Sequence, residues 1–273
     1  MTKTYAVIGD PIDHSLSPSI HNAAFKATGL DCTYIAYRVP RGELEAGIES
    51  LKRIRISGFN VTIPHKIEMM KFLDESSQEC KIIGATNTVT NDDGKLIGYN
   101  TDMDGFLEPI KRRRFQISGQ AVLLLGAGGA ARAIVAGFAK EKAQKIIVAN
   151  KTLQKAEELA RFASGLGLES EAVPLSSAEE AVPRCKFIVN ATSAGLRGEP
   201  SPIPTRMINS EHIVYDIVYM PMNTDLITQS KKNSAAVIYG YEMLLGQACL
   251  AFEIWHKIAA PYDAMKKVLL GGF

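Results

Sequence analysis

The stretch AVLLLGAGGAARAIVAGFAK, residues 121–140, constrains this chain more than any other. Its apolar run Ala121–Leu125 reads as a buried strand, the glycines after it as a tight turn, and Ala130 onward as a helix of small residues. The spacing Gly126, Gly128, Ala131 fits the G-x-G-x-x-G/A dinucleotide fingerprint. Gly126 permits the turn, Gly128 leaves room for the backbone to approach a pyrophosphate, and Ala131 lets the helix lie close on the sheet. Gly126, Ala127, Gly128, Gly129 and Ala130 are therefore candidate cofactor contacts, with the N–H groups and positive dipole end of the helix facing the phosphates. Such turns also occur in α/β proteins without a ligand, so the reading depends on the next strand and the residues at its end.

A second strand pattern, Lys145–Asn150, comes at the distance a βαβ unit requires. Folds specific for NAD carry Asp or Glu at that strand's end to hold the ribose 2′-hydroxyl. Here the residues are Asn150, Lys151, Thr152 and, one helical turn on, Lys155. A carboxylate would repel a 2′-phosphate, whereas an amide, a hydroxyl and two ammonium groups would bind it, which predicts NADP in preference to NAD. The other reading makes Lys151 and Lys155 ordinary solvated charges, although cations are slightly disfavoured at a helix start.

At 273 residues the chain is long enough for two modest domains. An apolar fraction of 46% with 22% charged residues is that of a soluble globular protein, and a net charge of +2 gives no footprint of nucleic-acid or membrane binding. The dense basic run KRRR, residues 111–114, is expected to be a solvated helix end. Cys32, Cys80, Cys185 and Cys249 are widely spaced and suggest reduced thiols in a cytoplasmic protein, with no metal site. No signal-peptide pattern and no apolar run of membrane-spanning length is present.

The first hundred residues alternate strand and helix patterns. Tyr5–Gly9, Thr33–Val39 and Ser57–Thr62 read as strands, Pro18–Thr28 and Glu43–Ile54 as helices, and Pro64 as the start of another helix. Ala85–Thr90 and Leu96–Asn100 flank Asn91-Asp92-Asp93-Gly94, a hairpin signal. The pattern predicts an α/β chain with an N-terminal mixed, mostly parallel sheet carrying an antiparallel edge, then a Rossmann-type domain, with a boundary near Asp102.

Polar residues gather at the predicted strand ends, where α/β sheets place their ligands. Ser15 and Ser17 follow the first strand, Asn60, Thr62 and Lys66 lie in FNVTIPHK after the third, and Thr86-Asn87-Thr88 and Asn100-Thr101-Asp102 come later. Any one of them could be a helix cap or turn former. Together their hydroxyls and amides would suit a small polyol.

The motifs SLSPSIHN (15–22), FNVTIPHK (59–66), GATNT (84–88), NTD (100–102), LGAGGAARA (125–133), NATSAGL (190–196), DIVYMP (216–221) and YGYEMLLGQACLAFEIW (239–255) closely resemble the shikimate dehydrogenase family, in its order and over nearly the whole chain. The resemblance implies a substrate domain of residues 1–102 and 242–273, to which the last helices return, and an NADP-binding Rossmann domain of residues 103–241. It implies that Ser15 and Ser17 bind the shikimate carboxylate, and that Asn60, Thr62, Asn87 and Gln247 hold the ring hydroxyls and carboxylate. Tyr219 matches a tyrosine near that carboxylate, Lys66 and Asp102 the catalytic pair, Gly240 and Met243 the wall of the nicotinamide pocket, and Asn190, Thr192 and Ser193 the loop beside the cofactor. Two positions depart from the pattern: Lys151 stands where arginine is usual, and Thr86 where an apolar residue is frequent. A lysine meets a 2′-phosphate as a point charge, without the fork of a guanidinium.

The implied reaction is the reversible NADPH-dependent reduction of 3-dehydroshikimate to shikimate in aromatic amino-acid biosynthesis. It needs a hydride at carbon and a proton at the developing alkoxide. An ammonium group suits the second task and stabilises the charge, which assigns Lys66 as acid in reduction and base in reverse, with Asp102 orienting it. The bland alternatives are a surface lysine on the helix after Pro64 and a helix N-cap at Asp102. His14, His21 and His65 show no metal-ligand spacing and read as structural or flanking. Trp255 and Phe252, at i, i+3 spacing, read as a packed core face, and Pro200, Pro202 and Pro204 as a stiff loop. A quinate or dual quinate/shikimate dehydrogenase, and a non-catalytic sensor of the same fold, are the alternatives; the small-molecule substrate is the expected partner of a monomer or homodimer.

Overall fold

The computed structural model describes residues 2–271. Its contacts divide the chain into two units: the described residues up to Gly105 together with those from Leu245 onward, and Phe106–Leu244. The divisions fall inside two helices, Asp102–Arg112 and Gly240–His256.

In the first unit the chain runs β1 (Lys3–Gly9), α1 (Ser17–Thr28), β2 (Cys32–Arg38), α2 (Leu44–Arg53), β3 (Gly58–Val61), β4 (Glu75–Ser76), α3 (Gln78–Ile83), β5 (Thr88–Asp92), β6 (Lys95–Tyr99) and the start of α4 (Asp102–Arg112). Local chemistry sets these bounds. Pro18 sits in the first turn of α1, and Gly29, at φ 67°, closes its end in the left-handed conformation. Leu44, Gly47, Ile48 and Leu51 give α2 one buried face, at the spacing of an amphipathic helix. The sheet order is β2-β1-β3-β5-β6-β4.

The antiparallel strand of that sheet is β5, which pairs antiparallel with β3 and with β6. It lies inside the sheet, flanked by β3 and its hairpin partner β6, and the hairpin is not at the expected edge because the short β4 adds outside β6 in parallel register. Asp92 pairs with Lys95, so the hairpin turn is Asp93-Gly94 alone, with φ of 47° and 95°, as a type I′ turn requires. The strand also begins later than expected, at Thr88.

The helix expected from Pro64 does not form; residues 63–67 turn irregularly and a 3₁₀ helix spans Glu68–Phe72. The Lys66 carbonyl, which a helix would spend on residue 70, instead accepts the Thr86 N–H at 2.9 Å, while the Met70 N–H bonds the Ile67 carbonyl at 3.2 Å. A long-range bond has displaced a local one.

The second unit carries the rest of α4, then β7 (Ala121–Leu125), α5 (Gly129–Lys140), β8 (Lys145–Asn150), α6 (Leu153–Gly165), β9 (Glu169–Pro174), β10 (Phe187–Asn190), β11 (Ile213–Asp216), α7 (Asp225–Lys232), β12 (Ala236–Tyr239) and the start of α8 (Gly240–His256). Its sheet order, β12-β11-β10-β7-β8-β9, is all parallel and is the doubly wound order of Rossmann folds. Its inner strands β7, β8, β10 and β11 are near-continuous buried apolar runs, as in a sheet covered on both faces, whereas the edge strand β9 (ESEAVP) is largely polar. Arg112 and Arg113 are not a solvated helix end: their guanidinium groups meet the buried carboxylate of Glu242 at 2.5 and 2.8 Å.

The first unit is completed by the remainder of α8 and by α9 (Tyr262–Gly271), which packs on α1. Phe252 is wholly buried, and the Trp255 indole N–H donates to the Val89 carbonyl at 3.0 Å. Two glycines let α4 and α8 touch: a Cβ on Gly105 would lie 2.6 Å from the Gln247 backbone nitrogen, and one on Gly246 3.1 Å from the Gly105 Cα. His21, wholly buried, stacks on Tyr34 at 4.4 Å, and both its ring nitrogens lack a hydrogen-bond partner among the described residues.

Gly105→Ala should destabilise the protein. The helix propensity of alanine gains about 1 kcal/mol, but the Cβ meets backbone that cannot swing aside, and overpacking of this kind costs about 1–3 kcal/mol. Thermal unfolding of the variant should begin several degrees lower. Burial, reinforced by His256, pushes the His21 pKa down from 6.5 to about 3. The unfolded chain therefore binds a proton over that interval that the folded chain refuses, so stability is complete above pH 6.5 and falls as the pH drops below it. In His21→Phe the slope of unfolding free energy between pH 6 and 4 should be shallower by ~1.4 kcal/mol per pH unit; an unchanged slope would contradict this.

Candidate functional site

In the first unit the parallel strands β1 and β3 end, β5 begins and β6 ends at one edge of the sheet, as the pairings Asn60 with Thr88 and Thr88 with Tyr99 require. The loops carrying Ser15, Thr62 and Lys66, and Asn87, and the starts of α1 at Ser17 and α4 at Asp102, all emerge there. The first two are tied together: the Asp10 N–H bonds the Ile63 carbonyl at 2.9 Å, and a Cβ on Gly9 would meet the Thr62 methyl at 2.4 Å. The Ser17 N–H donates to the Ser15 hydroxyl at 3.3 Å, which holds the two serines in one turn.

At the centre of this edge the Lys66 ammonium donates to Asp102 Oδ2 at 2.5 Å, with side-chain exposures of 14% and 6%. Lys66 is thus neither on a helix nor a surface charge. Asp102 is not the cap of α4 either, since Asn100 Oδ1 accepts the N–H groups of Asp102 and Met103 at 3.1 and 3.4 Å. That leaves the Asp102 carboxylate for side chains. Its Oδ1 accepts Asn87 Nδ2 at 2.8 Å, so each oxygen has a fixed donor. A charged donor and acceptor held this way can pass a proton to a bound group and keep the ammonium aimed.

Asn87 organises the surroundings. Its Nδ2 also donates to the Thr101 hydroxyl at 2.9 Å and reaches Gln247 Oε1 at 3.5 Å, and its Oδ1 accepts the Thr101 N–H at 2.7 Å. Asn60 lies beneath: its Oδ1 accepts the Tyr34 hydroxyl at 2.6 Å, and its Nδ2 donates to the Asn87 carbonyl and the Thr88 hydroxyl, both at 3.0 Å. Both Asn60 amide hydrogens are spent inside the protein, so it supports Asn87. Thr88 and Thr101 belong to the polar strand ends of GATNT and NTD, whereas Tyr34 reads locally as an ordinary strand residue. Thr86, wholly buried, donates its hydroxyl to the Tyr99 carbonyl at 2.7 Å, which explains a polar residue at this position. His65 is buried with Nε2 2.7 Å from the Val39 carbonyl, a structural contact.

In the second unit Gly126, at φ 104°, abuts the loop after β10: a Cβ there would lie 2.8 Å from the Ala191 carbonyl oxygen and 3.0 Å from the Thr192 nitrogen. Gly128 meets nothing within 4 Å, and α5 starts at Gly129 with no side chain capping it. This is an open helix N-terminus between β7 and β10, where the strand order reverses. Ala127 and Ala130 are half-buried beside it. Past β8, Asn150 Nδ2 donates to the Thr152 carbonyl at 2.9 Å and shapes the turn that exposes Lys151, Thr152 and Lys155. Among the described residues neither lysine makes an ion pair. The donor set fits a dinucleotide with a phosphate on its ribose.

The loop after β10 is built on Asn190, wholly buried, whose Oδ1 accepts the Thr192 N–H and hydroxyl at 3.0 and 2.7 Å, leaving Ser193 exposed. Asn190 Nδ2 donates to Asp216 Oδ1 at 2.9 Å. Gly240 begins α8 against backbone, since a Cβ would lie 2.5 Å from the carbonyl oxygens of Ile217 and Val218; Met243 is buried one turn on. Tyr219 is half-buried in the loop after β11, where burial pushes its phenol up. Asp216 and Glu242 were not singled out from the sequence: a carboxylate in an apolar strand or helix start shows only in three dimensions that its partners are buried with it. Among the described residues no group of three His, Cys, Asp or Glu is placed to hold a metal ion.

Known proteins resemble this chain over most of its length. The family model for the shikimate dehydrogenase substrate binding domain matches residues 7–89, that for shikimate/quinate 5-dehydrogenase residues 109–199, and that for the shikimate 5′-dehydrogenase C-terminal domain residues 240–270. The chain is 62% identical over 273 residues, all of both chains, to the shikimate dehydrogenase (NADP(+)) of Nitrosopumilus maritimus strain SCM1. The crystal structure of shikimate dehydrogenase from Aquifex aeolicus superposes with a TM-score of 0.91 at 37% identity, covering 98% of this chain and 97% of that one. The Thermus thermophilus shikimate 5-dehydrogenase, solved with NADP(H) and shikimate, gives 0.87 at 35% identity, covering 99% and 100%. With the fingerprint turn, the lysine–aspartate pair and the full-length match in agreement, this chain belongs to the shikimate dehydrogenase family.

Proposed function

We propose that the chain is an NADP-dependent oxidoreductase that reversibly reduces 3-dehydroshikimate to shikimate. The observation that carries the reading is the Lys66–Asp102 pair, fixed by Asn87 at a sheet edge lined with hydroxyls and amides, in a chain 62% identical to a shikimate dehydrogenase (NADP(+)).

NADPH, when bound, supplies the hydride. Lys66 donates a proton to the oxygen on which negative charge develops and stabilises that charge before transfer. Asp102 keeps the ammonium aimed at that oxygen and accepts from the hydroxyl in the reverse direction. Ser15, Ser17 and Thr62 bind the substrate from the loops after β1 and β3, with Asn87 and Gln247 on the other strands' side. Asn60 acts through Asn87, because its amide hydrogens are already used. Tyr219 is kept as a contact to the substrate carboxylate. The Gly126–Ala130 turn holds the pyrophosphate, Lys151, Thr152 and Lys155 the 2′-phosphate, and Thr192, Ser193, Gly240 and Met243 the nicotinamide end, with Asn190 shaping their loop. We assign residues 1–102 and 242–273 to substrate binding and 103–241 to the cofactor. The enzyme works in the cytoplasm as a monomer or homodimer; among the described residues no cysteine forms a disulfide, and no helix is long and apolar enough to cross a membrane.

Nicotinamide absorbance with shikimate or quinate and NADP or NAD tests this directly. Fast NADP reduction with shikimate is expected, and Lys66→Ala should lower kcat by about 10²-fold or more, the usual worth of a positioned acid. A variant with normal kcat and only a raised KM would remove the proton-donor role, and faster turnover of quinate would transfer the reading to that substrate. Lys151→Ala should raise KM for NADP about tenfold, one charge-assisted hydrogen bond at an exposed site, and leave KM for NAD unchanged.

A further inference from the structure

Asp216 closes β11 in register with Asn190 at the end of β10 and Tyr239 at the end of β12, and it is wholly buried. Its carboxylate is held by neutral donors. Oδ1 accepts Asn190 Nδ2 at 2.9 Å and the Val218 N–H at 3.0 Å, and Oδ2 accepts the Thr224 hydroxyl at 2.6 Å. Burial pushes this carboxyl up to about 6, against the three hydrogen bonds that hold it down. A buried carboxylate without a cation is a costly way to tie a fold together, which raises the question of what its three donors hold.

Asn190 ends β10, whereas Val218 and Thr224 lie at the two ends of the connection between β11 and α7. Asn190 carries the loop to residue 195: it fixes Thr192 and donates also to the Ala194 carbonyl at 3.2 Å, while the Thr192 hydroxyl accepts the Ala194 N–H at 3.1 Å. Gly195, at φ 98°, lies so close to Thr224 that a Cβ would meet the threonine methyl at 2.9 Å. Thr224 caps α7 by accepting the Ile227 N–H at 3.3 Å, and its neighbour Asp225 accepts the Ser201 N–H at 2.9 Å, so the far end of the same loop is tied to the same helix start. The near end lies against Gly126 of the fingerprint turn.

We propose that Asp216 is a positioning residue for the cofactor: by holding Asn190, the Val218 N–H and Thr224 together, its carboxylate sets the loop 190–195 in the conformation that receives the nicotinamide nucleotide beside the Gly126 turn. This rests on the NADP-dependent reading above. The Asp216→Asn variant isolates the claim. With its carbonyl toward Asn190 and Val218, its amide faces the Thr224 oxygen and leaves the threonine hydrogen without its acceptor; turned over, it sets N–H groups against N–H groups.

The test compares the wild-type protein with Asp216→Asn, Thr224→Val and Thr224→Ser. It measures Kd for NADP by titration calorimetry, KM for NADP and for shikimate, kcat, thermal unfolding, and hydrogen exchange at the Thr192 and Ala194 amides. The expected result is a Kd and KM for NADP raised about tenfold in Asp216→Asn and Thr224→Val, the worth of one buried hydrogen bond to a charged group. Exchange at 192 and 194 should quicken, KM for shikimate at saturating NADP should stay within about twofold, and Thr224→Ser, which keeps the hydroxyl, should bind NADP nearly as wild type. Wild-type Kd and exchange in a folded Asp216→Asn would overturn the proposal, as would a lowered unfolding temperature with both KM values unchanged. If Asp216→Asn does not fold, the Val and Ser variants at Thr224 decide by the same criteria. Wild-type protein that binds no NADP would instead overturn the dehydrogenase reading, and the proposal with it.

Discussion

The side-chain amide of Asn87 is the interaction on which the first unit's candidate site depends. Buried at the sheet edge, it must satisfy two donors and an acceptor, and it does so with Asp102, the two Thr101 groups and Gln247. Because Asp102 Oδ1 is taken by this amide, Oδ2 faces Lys66, and a flexible ammonium is given one direction. Asn60, Tyr34 and Thr88 extend the network downward, so that the Lys66–Asp102 pair rests on strands rather than on a loop alone. Removing one member of such a network leaves its buried partners unpaired, at a cost of about 1–3 kcal/mol each.

The second unit solves a comparable problem with backbone. Here the demand is an open approach to N–H groups at the start of α5, met by a glycine with a left-handed φ at 126 and a glycine with nothing opposite it at 128. The neighbouring loop cannot be supported by apolar packing where it must stay accessible to a ligand. It is supported instead from below, through Asn190 and Asp216, and at its far end through the start of α7. Glu242, clamped by Arg112 and Arg113, settles the start of α8 in the same manner.

Much of this was legible in the residues. The Gly126 turn, the Rossmann strands at 121–125 and 145–150, the switch of patterns along the first hundred residues and the cluster of polar strand ends all follow from local periodicity and turn chemistry, and the ordered motifs named the family. What was misread had non-local causes. The helix after Pro64 lost to the bond between Lys66 and Thr86, the β5–β6 hairpin lost the sheet edge to a two-residue strand too short to notice, and Arg112 of the basic run found a buried carboxylate 130 residues away along the chain.

The sequence by itself determined which residue types could meet at the sheet edges, because alternation, capping and glycine spacing are properties of neighbours along the chain, and it determined the family through the order of its motifs. Only the tertiary structure decided their division of labour. Asn60 faces inward to hold Asn87, Asn100 rather than Asp102 caps α4, and Asp216 holds two loops, since a buried polar group takes its role from the partners that folding brings within about 3 Å, and those partners lie on other strands and helices.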